Sequence, residues 1–265
     1  MIRILQRLAG LLRRRPGPRP TLAQLRRAAE RGDVEARYAL GEACLAGYGA
    51  RDIARQAVNW LELAARDGHA QAQHRLSLIY LNGLGASPMI ANWLAESRDT
   101  RAQANAGLLF PDGAGIAPHP ERAFLLAEAA AAQGHAAAQA NLGMMLLRGV
   151  GCAQDYAAAN LWFARAAAQG DPGGDLGLGL ICEHGLGRAA DPLEAASHYR
   201  RAAAAGNDAA ATALGLLHVN GRIAGDLRQA ERLLAGPAAR GNIFAQKGLQ
   251  RLRDAHASSV LRTVQ

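Results

Sequence analysis

Aromatic residues and cysteines are scarce in this chain. Only 5% of its 265 residues are aromatic although half are hydrophobic, so alanine supplies much of the apolar surface and we expect a thin core. The three cysteines, Cys44, Cys152 and Cys182, form no close pair in the sequence. An odd number of isolated cysteines is typical of a reducing compartment. We therefore expect small, buried thiols in a cytoplasmic protein.

Long hydrophobic runs are also missing. The longest uncharged run near the N-terminus, residues 8–12, is far too short to span a bilayer. Arginines and prolines follow it, where a signal peptide would have a small-residue cleavage site. We therefore expect neither a membrane span nor a secretory signal in this segment.

Residues 1–15 have instead the pattern of a basic amphipathic helix, and a Pro-rich linker follows at residues 16–20. Such a helix can lie on an anionic membrane surface or dock on a partner, which would place the protein peripherally at the inner membrane. The alternative is a cap on the apolar face of the first repeat, or a frayed tail. The residues expected to dock are Arg3, Leu5, Arg7, Leu8, Leu12 and Arg14.

The positive charge of the chain is concentrated at its N-terminus. The net charge is +8, but residues 1–20 hold six arginines and no acidic residue, which leaves 24 basic and 22 acidic side chains for the rest. A nucleic-acid reader needs a basic stripe along its body. We therefore do not expect nucleic acid among the partners.

Glycine, by contrast, is abundant and regularly spaced. The first members of successive glycine pairs are 36, 30, 36, 36 and 36 residues apart. A fixed period of this length indicates stacked helix pairs. The pairs are Gly47/Gly49, Gly83/Gly85, Gly113/Gly115, Gly149/Gly151 and Gly185/Gly187, followed by Gly221 with Ile223 in the second place.

Each period has the same internal order of helix, turn, helix and turn. In the period from Gly134 to Gly170, helix-spaced apolar residues end at Gly149, and Asp155 then starts a second amphipathic helix. Asp, Asn or His follows each closing glycine and is expected to cap the next helix. The pairs Thr21/Gln24 and Asp191/Glu194 are expected to be capping boxes. Small residues and leucines recur at fixed positions, which predicts close packing of neighbouring helices.

These units resemble Sel1-like repeats, which are relatives of the tetratricopeptide repeat. The resemblance is carried by Ala138, Leu142-Gly143, Gly149-Val150-Gly151, Asp155, Ala159, Trp162-Phe163, Ala166-Ala167 and Gly170, and by a second copy with Ala72, Leu76, Tyr80 and Gly83-Leu84-Gly85. It implies an all-α, right-handed solenoid of about six helix-turn-helix repeats over residues 21–256. We expect half-repeat caps at Thr21–Arg31 and Asn242–His256, and a C-terminal tail at residues 257–265.

The resemblance also implies a function. Members of the family assemble complexes at bacterial envelopes and tune signalling or exopolysaccharide systems. We therefore expect a non-enzymatic scaffold or adaptor that binds proteins or peptides through the concave face of the solenoid. Recruitment to a membrane surface by residues 1–15 is the alternative.

We expect no catalytic centre, cofactor or metal. The glycine turns lack the Lys-Ser/Thr that follows a phosphate loop, and Cys182, Glu183 and His184 are adjacent and point in different directions on a helix. Some Sel1-like proteins have been proposed to bind or hydrolyse β-lactams, but this chain lacks the Ser-x-x-Lys of covalent β-lactam chemistry. A β-lactamase-like hydrolase is the remotest alternative.

Partner contacts are expected on the first helix of each unit, beside its packing stripe. Tyr38 and His74 are the strongest candidates because aromatic and polar residues dominate binding hot spots. The alternative for these positions is a solvated face that makes hydrogen bonds between repeats. The expected partner-binding residues are Arg37, Tyr38, Gln73, His74, Gln103, Gln139 and Asp175.

Two irregularities stand out. The repeat after Gly85 is six residues short, and a short second helix near residues 86–101 should perturb the superhelix or open a groove. The helix that starts near Asp171 contains glycines at positions 173, 174, 177 and 179. Each costs roughly 1 kcal/mol in an exposed helix interior, so this helix is either irregular or closely approached by another backbone. We expect a soft joint there.

Overall fold

A computed structural model of the protein describes residues 21–46, 53–82, 119–224 and 227–263. Within these ranges the regular structure is entirely helical, and consecutive helices are joined by tight turns. The helices are α1 Leu22–Glu30, α2 Val34–Ala46, α3 Ile53–Arg66, α4 Ala70–Asn82, α5 Pro120–Ala132, α6 Ala136–Arg148, α7 Tyr156–Ala168, α8 Pro172–His184, α9 Pro192–Ala204, α10 Asp208–Val219, α11 Leu227–Ala239 and α12 Ile243–Thr263.

Every described helix packs against the next one in this order. Five helix pairs, α2/α3 through α10/α11, are thus stacked between the single helices α1 and α12, which confirms the predicted all-α solenoid with a half-repeat at each end. The last helix continues to Thr263, past the expected start of a tail at residue 257. No helix among the described residues combines the length and the hydropathy of a membrane span.

The pair α4/α5 joins helices that are far apart in sequence. The His119 backbone N–H donates to the Tyr80 carbonyl over 2.6 Å, and the Arg122 guanidinium lies 4.4 Å from the Tyr80 ring centroid. The second helix packed on α4 is therefore α5. The short second helix expected near residues 86–101 lies outside the described residues, as do residues 1–20 and the glycine pairs at 47/49, 83/85 and 113/115.

The predicted glycine turns and helix caps are confirmed in the described turns, apart from one capping box. The glycines at positions 149, 185 and 221 that follow first helices have positive φ, as do the closing glycines. Thr21 and Gln24 form a complete capping box, but Asp191 and Glu194 do not, because the Glu194 carboxylate turns to Arg188 instead. The side chains that cap described helices are Asp33, His69, His119, His135, Asp155, Asp171, Asp191, Asn207 and Asn242.

A glycine notch on the first helix receives a large side chain from the second helix of the same pair. Phe163, which is fully buried, lies against Gly143, where a Cβ would come within 2.8 Å of the ring. The equivalent contacts join Gly41 to Leu61 and Gly215 to Leu234. The thin, alanine-rich core therefore depends on backbones that approach closely.

The glycine-rich helix α8 is continuous, so it is not irregular and the alternative of close approach by another backbone describes it, whereas the soft joint stays a prediction. A Cβ on Gly174 would lie 2.4 Å from the Ala167 backbone nitrogen, and one on Gly177 would lie 2.3 Å from the Phe163 ring. Gly179 faces the Tyr199 ring in the same way. The glycines are explained by the close approach of α7 and α9 to both sides of α8, so the helix is held tightly by its neighbours.

We expect Gly177→Ala to lower the free energy of unfolding by about 1–3 kcal/mol, because the added methyl group overpacks the contact with Phe163. Chemical denaturation measures this change. Phe163→Leu makes room for the methyl, so Gly177→Ala should cost less in the Phe163→Leu background. A stabilisation of about 1 kcal/mol by Gly177→Ala, as at an exposed helix position, would contradict the close packing.

Candidate functional site

One position on the first helices makes the same hydrogen bond in several repeats. The Gln73 and Gln139 side-chain amides donate over 3.1 Å to the backbone carbonyls of Ala65 and Ala131, each eight residues earlier. Arg37 Nε and the Gln246 amide make the equivalent bonds to Ala29 and Ala238. These carbonyls lie in the last turn of the preceding helix, and each also accepts the backbone N–H of the closing glycine, so the side chain is a second donor. We call this contact the interhelix lock.

A second amide completes the lock. Gln133 donates to Gln73 Oε1 over 2.6 Å, and Gln169 donates to Gln139 Oε1 over 2.7 Å. Gln73 and Gln139 are only 9% and 5% exposed. The expectation that these two side chains contact a partner is therefore wrong, because they are buried and bonded within the chain. Gln73 and Gln139 instead make hydrogen bonds between repeats, which was the alternative for these positions. Gln103 lies outside the described residues.

Asp175 occupies the same position on α8, but its carboxylate can only accept hydrogen bonds. It therefore bonds to side chains of the following helix, α9, and donates nothing to the preceding one. His198 Nδ1 lies 3.0 Å from Asp175 Oδ1, and Arg201 Nε donates to the same carboxylate over 3.1 Å. Burial by itself would raise the pKa of Asp175, but the hydrogen bonds from Arg201 and His198 outweigh it and hold that pKa below its usual value. Asp175 is 8% exposed and is also not offered to a partner.

Tyr38 and His74 contact the histidines that cap the next first helix. The Tyr38 ring lies 4.6 Å from that of His69, and the His74 ring lies 4.6 Å from that of His135. Both side chains are half-buried, so they retain a face for a partner, and their role in binding stays a prediction. Arg37 is half-buried as well and pairs with Asp67.

The His74 ring is held neutral. Burial is the main cause that lowers its pKa to about 4, and the neighbouring His135 and Arg75 contribute. A proton on His74 would therefore weaken its contact with His135.

The lock is missing at α10, where Ala211 stands in the position of the glutamines. A groove of about 710 Å³ opens there between α9, α10 and α11. We call it the Ala211 groove. Its position was not predicted, although the signal was present in the sequence as an alanine at a position that is polar in the other repeats. Its lining includes Arg200, Ala203, Gly206, Asp208, Ala211, Leu214, Arg232, Leu233, Gly236, Pro237 and Arg240.

A second groove, of about 650 Å³, lies at the N-terminal end of the stack. It runs between α1, α2 and α3, and its walls include Leu22, Leu40, Trp60 and Leu63. Its lining is apolar apart from Arg26, Gln56 and Asn59. The two grooves thus differ in chemistry, since arginines line the Ala211 groove.

Three side chains with metal-ligating atoms meet between α8 and α9. The ligating atoms of Cys182, Glu194 and His198 all lie within 4.8 Å of one another. The neighbours of Cys182 in sequence are not part of this cluster, and Glu183 accepts a hydrogen bond from the Tyr199 hydroxyl over 2.7 Å. Sequence reasoning missed the cluster because its members come from two helices.

The lowered pKa of His74 predicts a loss of stability in mild acid. Between pH 6.5 and about 4 the unfolded chain takes up a proton at His74 that the folded chain refuses, so the free energy of unfolding should fall as the pH falls. Urea denaturation across this range measures the slope. His74→Gln should flatten the slope relative to the wild type, whereas an unchanged slope would contradict the burial of this ring. His184→Ala, at an exposed position on α8, is the control.

The chain was compared with known families and structures. The family model of the Sel1 repeat matches residues 34–69, 70–88, 100–135, 136–171, 175–207 and 208–235. The crystal structure of a Sel1 repeat protein from Oxalobacter formigenes is similar, with 26% identity, a TM-score of 0.63, and coverage of 81% of this chain and 74% of that one.

A Sel1 repeat protein from Klebsiella pneumoniae shares the fold, with 18% identity, a TM-score of 0.51, and coverage of 88% of this chain and 100% of that one. A search of curated proteins found no match. The repeat model covers well over half of the residues. Its segments overlap the pairs α2/α3, α6/α7, α8/α9 and α10/α11, whereas α4 and α5 fall in two separate segments. The chain therefore belongs to the Sel1 repeat family.

Proposed function

We propose that this chain is a non-enzymatic adaptor and that an acidic segment of a partner protein binds in the Ala211 groove. Sel1 repeat proteins in general are scaffolds that bind other proteins, on a repeat fold that is not catalytic. The observation that carries the proposal is the groove itself, which lies where the interhelix lock is absent.

The shape of the groove suits an extended peptide. Ala203, Ala211 and Gly236 are the small residues of the lining, so a backbone can approach the helices closely. Leu233 and Pro237 add apolar surface. A peptide with alternating apolar and polar side chains would bury its apolar groups on these residues and leave the others in solvent.

The charge of the groove selects an acidic occupant. The side chains of Arg200 and Arg232 are exposed along it. Arg240 is also in the lining, but it pairs with Asp208 at the same groove. The excess of arginine over acid attracts carboxylates, which gives orientation and specificity to the encounter.

Ala211→Gln should restore the missing lock and close the groove. The introduced amide can donate to the Ala203 carbonyl, eight residues earlier, as Gln139 does to Ala131. We expect the free energy of unfolding to rise by about 1 kcal/mol while partner binding falls. Chemical denaturation and affinity capture with quantitative mass spectrometry measure the two effects. A variant that is more stable and still retains its partners would place the binding surface elsewhere.

Charge reversal tests the nature of the partner. Arg200→Glu/Arg232→Glu should weaken binding of the captured partner at least about tenfold, because like charges then face each other. Arg66→Glu/Arg148→Glu makes the same change of net charge at exposed positions outside the groove and is the matched control. Calorimetry with the purified partner gives both affinities, and equal losses in the two double variants would argue against a specific acidic contact.

Recruitment to a membrane is a second proposal, and it rests on the basic amphipathic pattern of residues 1–15. A helix with arginines beside an apolar face binds anionic lipid surfaces, and a cytoplasmic protein would then lie at the inner membrane. Full-length protein should float with anionic vesicles and remain behind with neutral ones. If a form that lacks residues 1–15 floats equally well, this proposal fails.

A further inference from the structure

The cluster of Cys182, Glu194 and His198 has the composition of a metal site. Glu194 and His198 are four residues apart and lie on the same face of α9. Cys182 is buried on the facing side of α8. One thiol, one imidazole and one carboxylate, with ligating atoms within 4.8 Å of one another, are the ligand types that zinc takes in proteins.

His198 is oriented by a buried carboxylate. Its Nδ1 lies 3.0 Å from Asp175 Oδ1 and 2.7 Å from Arg201 Nη2, so Nε2 is the ring nitrogen left for a metal. A ligating histidine whose other nitrogen is hydrogen-bonded to a carboxylate is the usual arrangement at zinc sites, because the carboxylate fixes the tautomer and the ring orientation. Asp175 is the single acidic residue among the positions equivalent to Gln73 and Gln139. Orienting His198 explains why an acidic residue stands there.

A cationic side chain already bridges two of the three groups. Arg188 Nη1 lies 3.6 Å from Cys182 Sγ and 3.0 Å from Glu194 Oε1. The arginine side chain is 44% exposed, so it can leave toward solvent without opening the core. The guanidinium therefore shows that the cluster accommodates positive charge, and it competes with any ion that binds there.

We propose that Cys182, Glu194 and His198 bind one thiophilic divalent cation such as Zn²⁺, with water as the fourth ligand. The Cys182 thiol releases its proton to solvent when the metal–sulfur bond forms, and Arg188 moves aside. Tetrahedral zinc, with Zn–S of about 2.3 Å and Zn–N of about 2.0 Å, places its ligands roughly 3.5 Å apart. Side-chain rotations that move the ligating atoms by about an ångström are enough to bring the present cluster to that spacing.

Such a site would clamp α8 to α9. Cys182 belongs to the first helix of the fourth pair and both other ligands belong to the second, so the ion would join the two helices of one repeat. The site is separate from the Ala211 groove, since none of its three ligands lines that groove. Metal binding and partner binding can therefore be tested independently.

Titration of the metal-free, reduced, full-length protein with Co²⁺ tests the proposal. We expect one equivalent to bind and to give a thiolate-to-cobalt charge-transfer band with the visible absorption of tetrahedral Co²⁺. Cys182→Ala should abolish the band, and Asp175→Asn, which removes the carboxylate that orients His198 and pairs with Arg201, should weaken binding by about 10- to 100-fold. Arg188→Ala should tighten binding, because it removes the competing cation.

The remaining thiols provide the control. Cys44→Ala/Cys152→Ala should keep both the band and the stoichiometry, since neither cysteine is in the cluster. If Cys182→Ala fails to fold, as judged by circular dichroism, Glu194→Gln and His198→Gln decide, and each should weaken Co²⁺ binding at least about tenfold. A wild type without the band, a band that survives in Cys182→Ala, or weaker binding by Arg188→Ala overturns the site.

Discussion

The hydrogen bond from a side chain on a first helix to the last turn of the helix before it holds the repeats in order. The backbone carbonyls of Ala65 and Ala131, in the last turn of their helices, already accept the N–H of the closing glycines Gly68 and Gly134. Gln73 and Gln139 add a second donor to these carbonyls from the next repeat unit, and a hydrogen bond of this kind contributes about 1 kcal/mol. The side-chain oxygens of Gln73 and Gln139 also accept hydrogen bonds from Gln133 and Gln169. The contact between the helices is therefore buried, and its polar atoms are paired.

The two proposed sites on the solenoid lie where a residue other than glutamine or arginine replaces the donor of this bond. Asp175 cannot donate, and it collects Arg201 and His198 instead, which brings a histidine beside Cys182 and Glu194. Ala211 has no polar atom in its side chain, and a groove opens beside it. The two departures lie in successive repeats, so the groove and the metal cluster are neighbours in the stack, whereas Gln73, Gln139 and Gln246 keep the regular contact.

Close approach of backbones is the second constraint. Alanine and glycine make a thin core in which one large side chain, such as Phe163, fills the space left by two glycines at positions 143 and 177. The same logic explains why α8 tolerates glycines that would weaken an isolated helix. The contact between α4 and α5 is of another kind, since the Arg122 guanidinium lies over the Tyr80 ring there.

The sequence by itself determined the helices, their caps and their period, because caps, glycine turns and apolar spacing act within a few residues of chain. It did not determine which polar side chains face solvent, so Gln73, Gln139 and Asp175 were taken for a binding surface. It also gave no means of joining α4 to α5 or of bringing Cys182 to Glu194 and His198. Those outcomes depend on which helices meet and at what distance, and packing between distant residues sets that only in the folded chain.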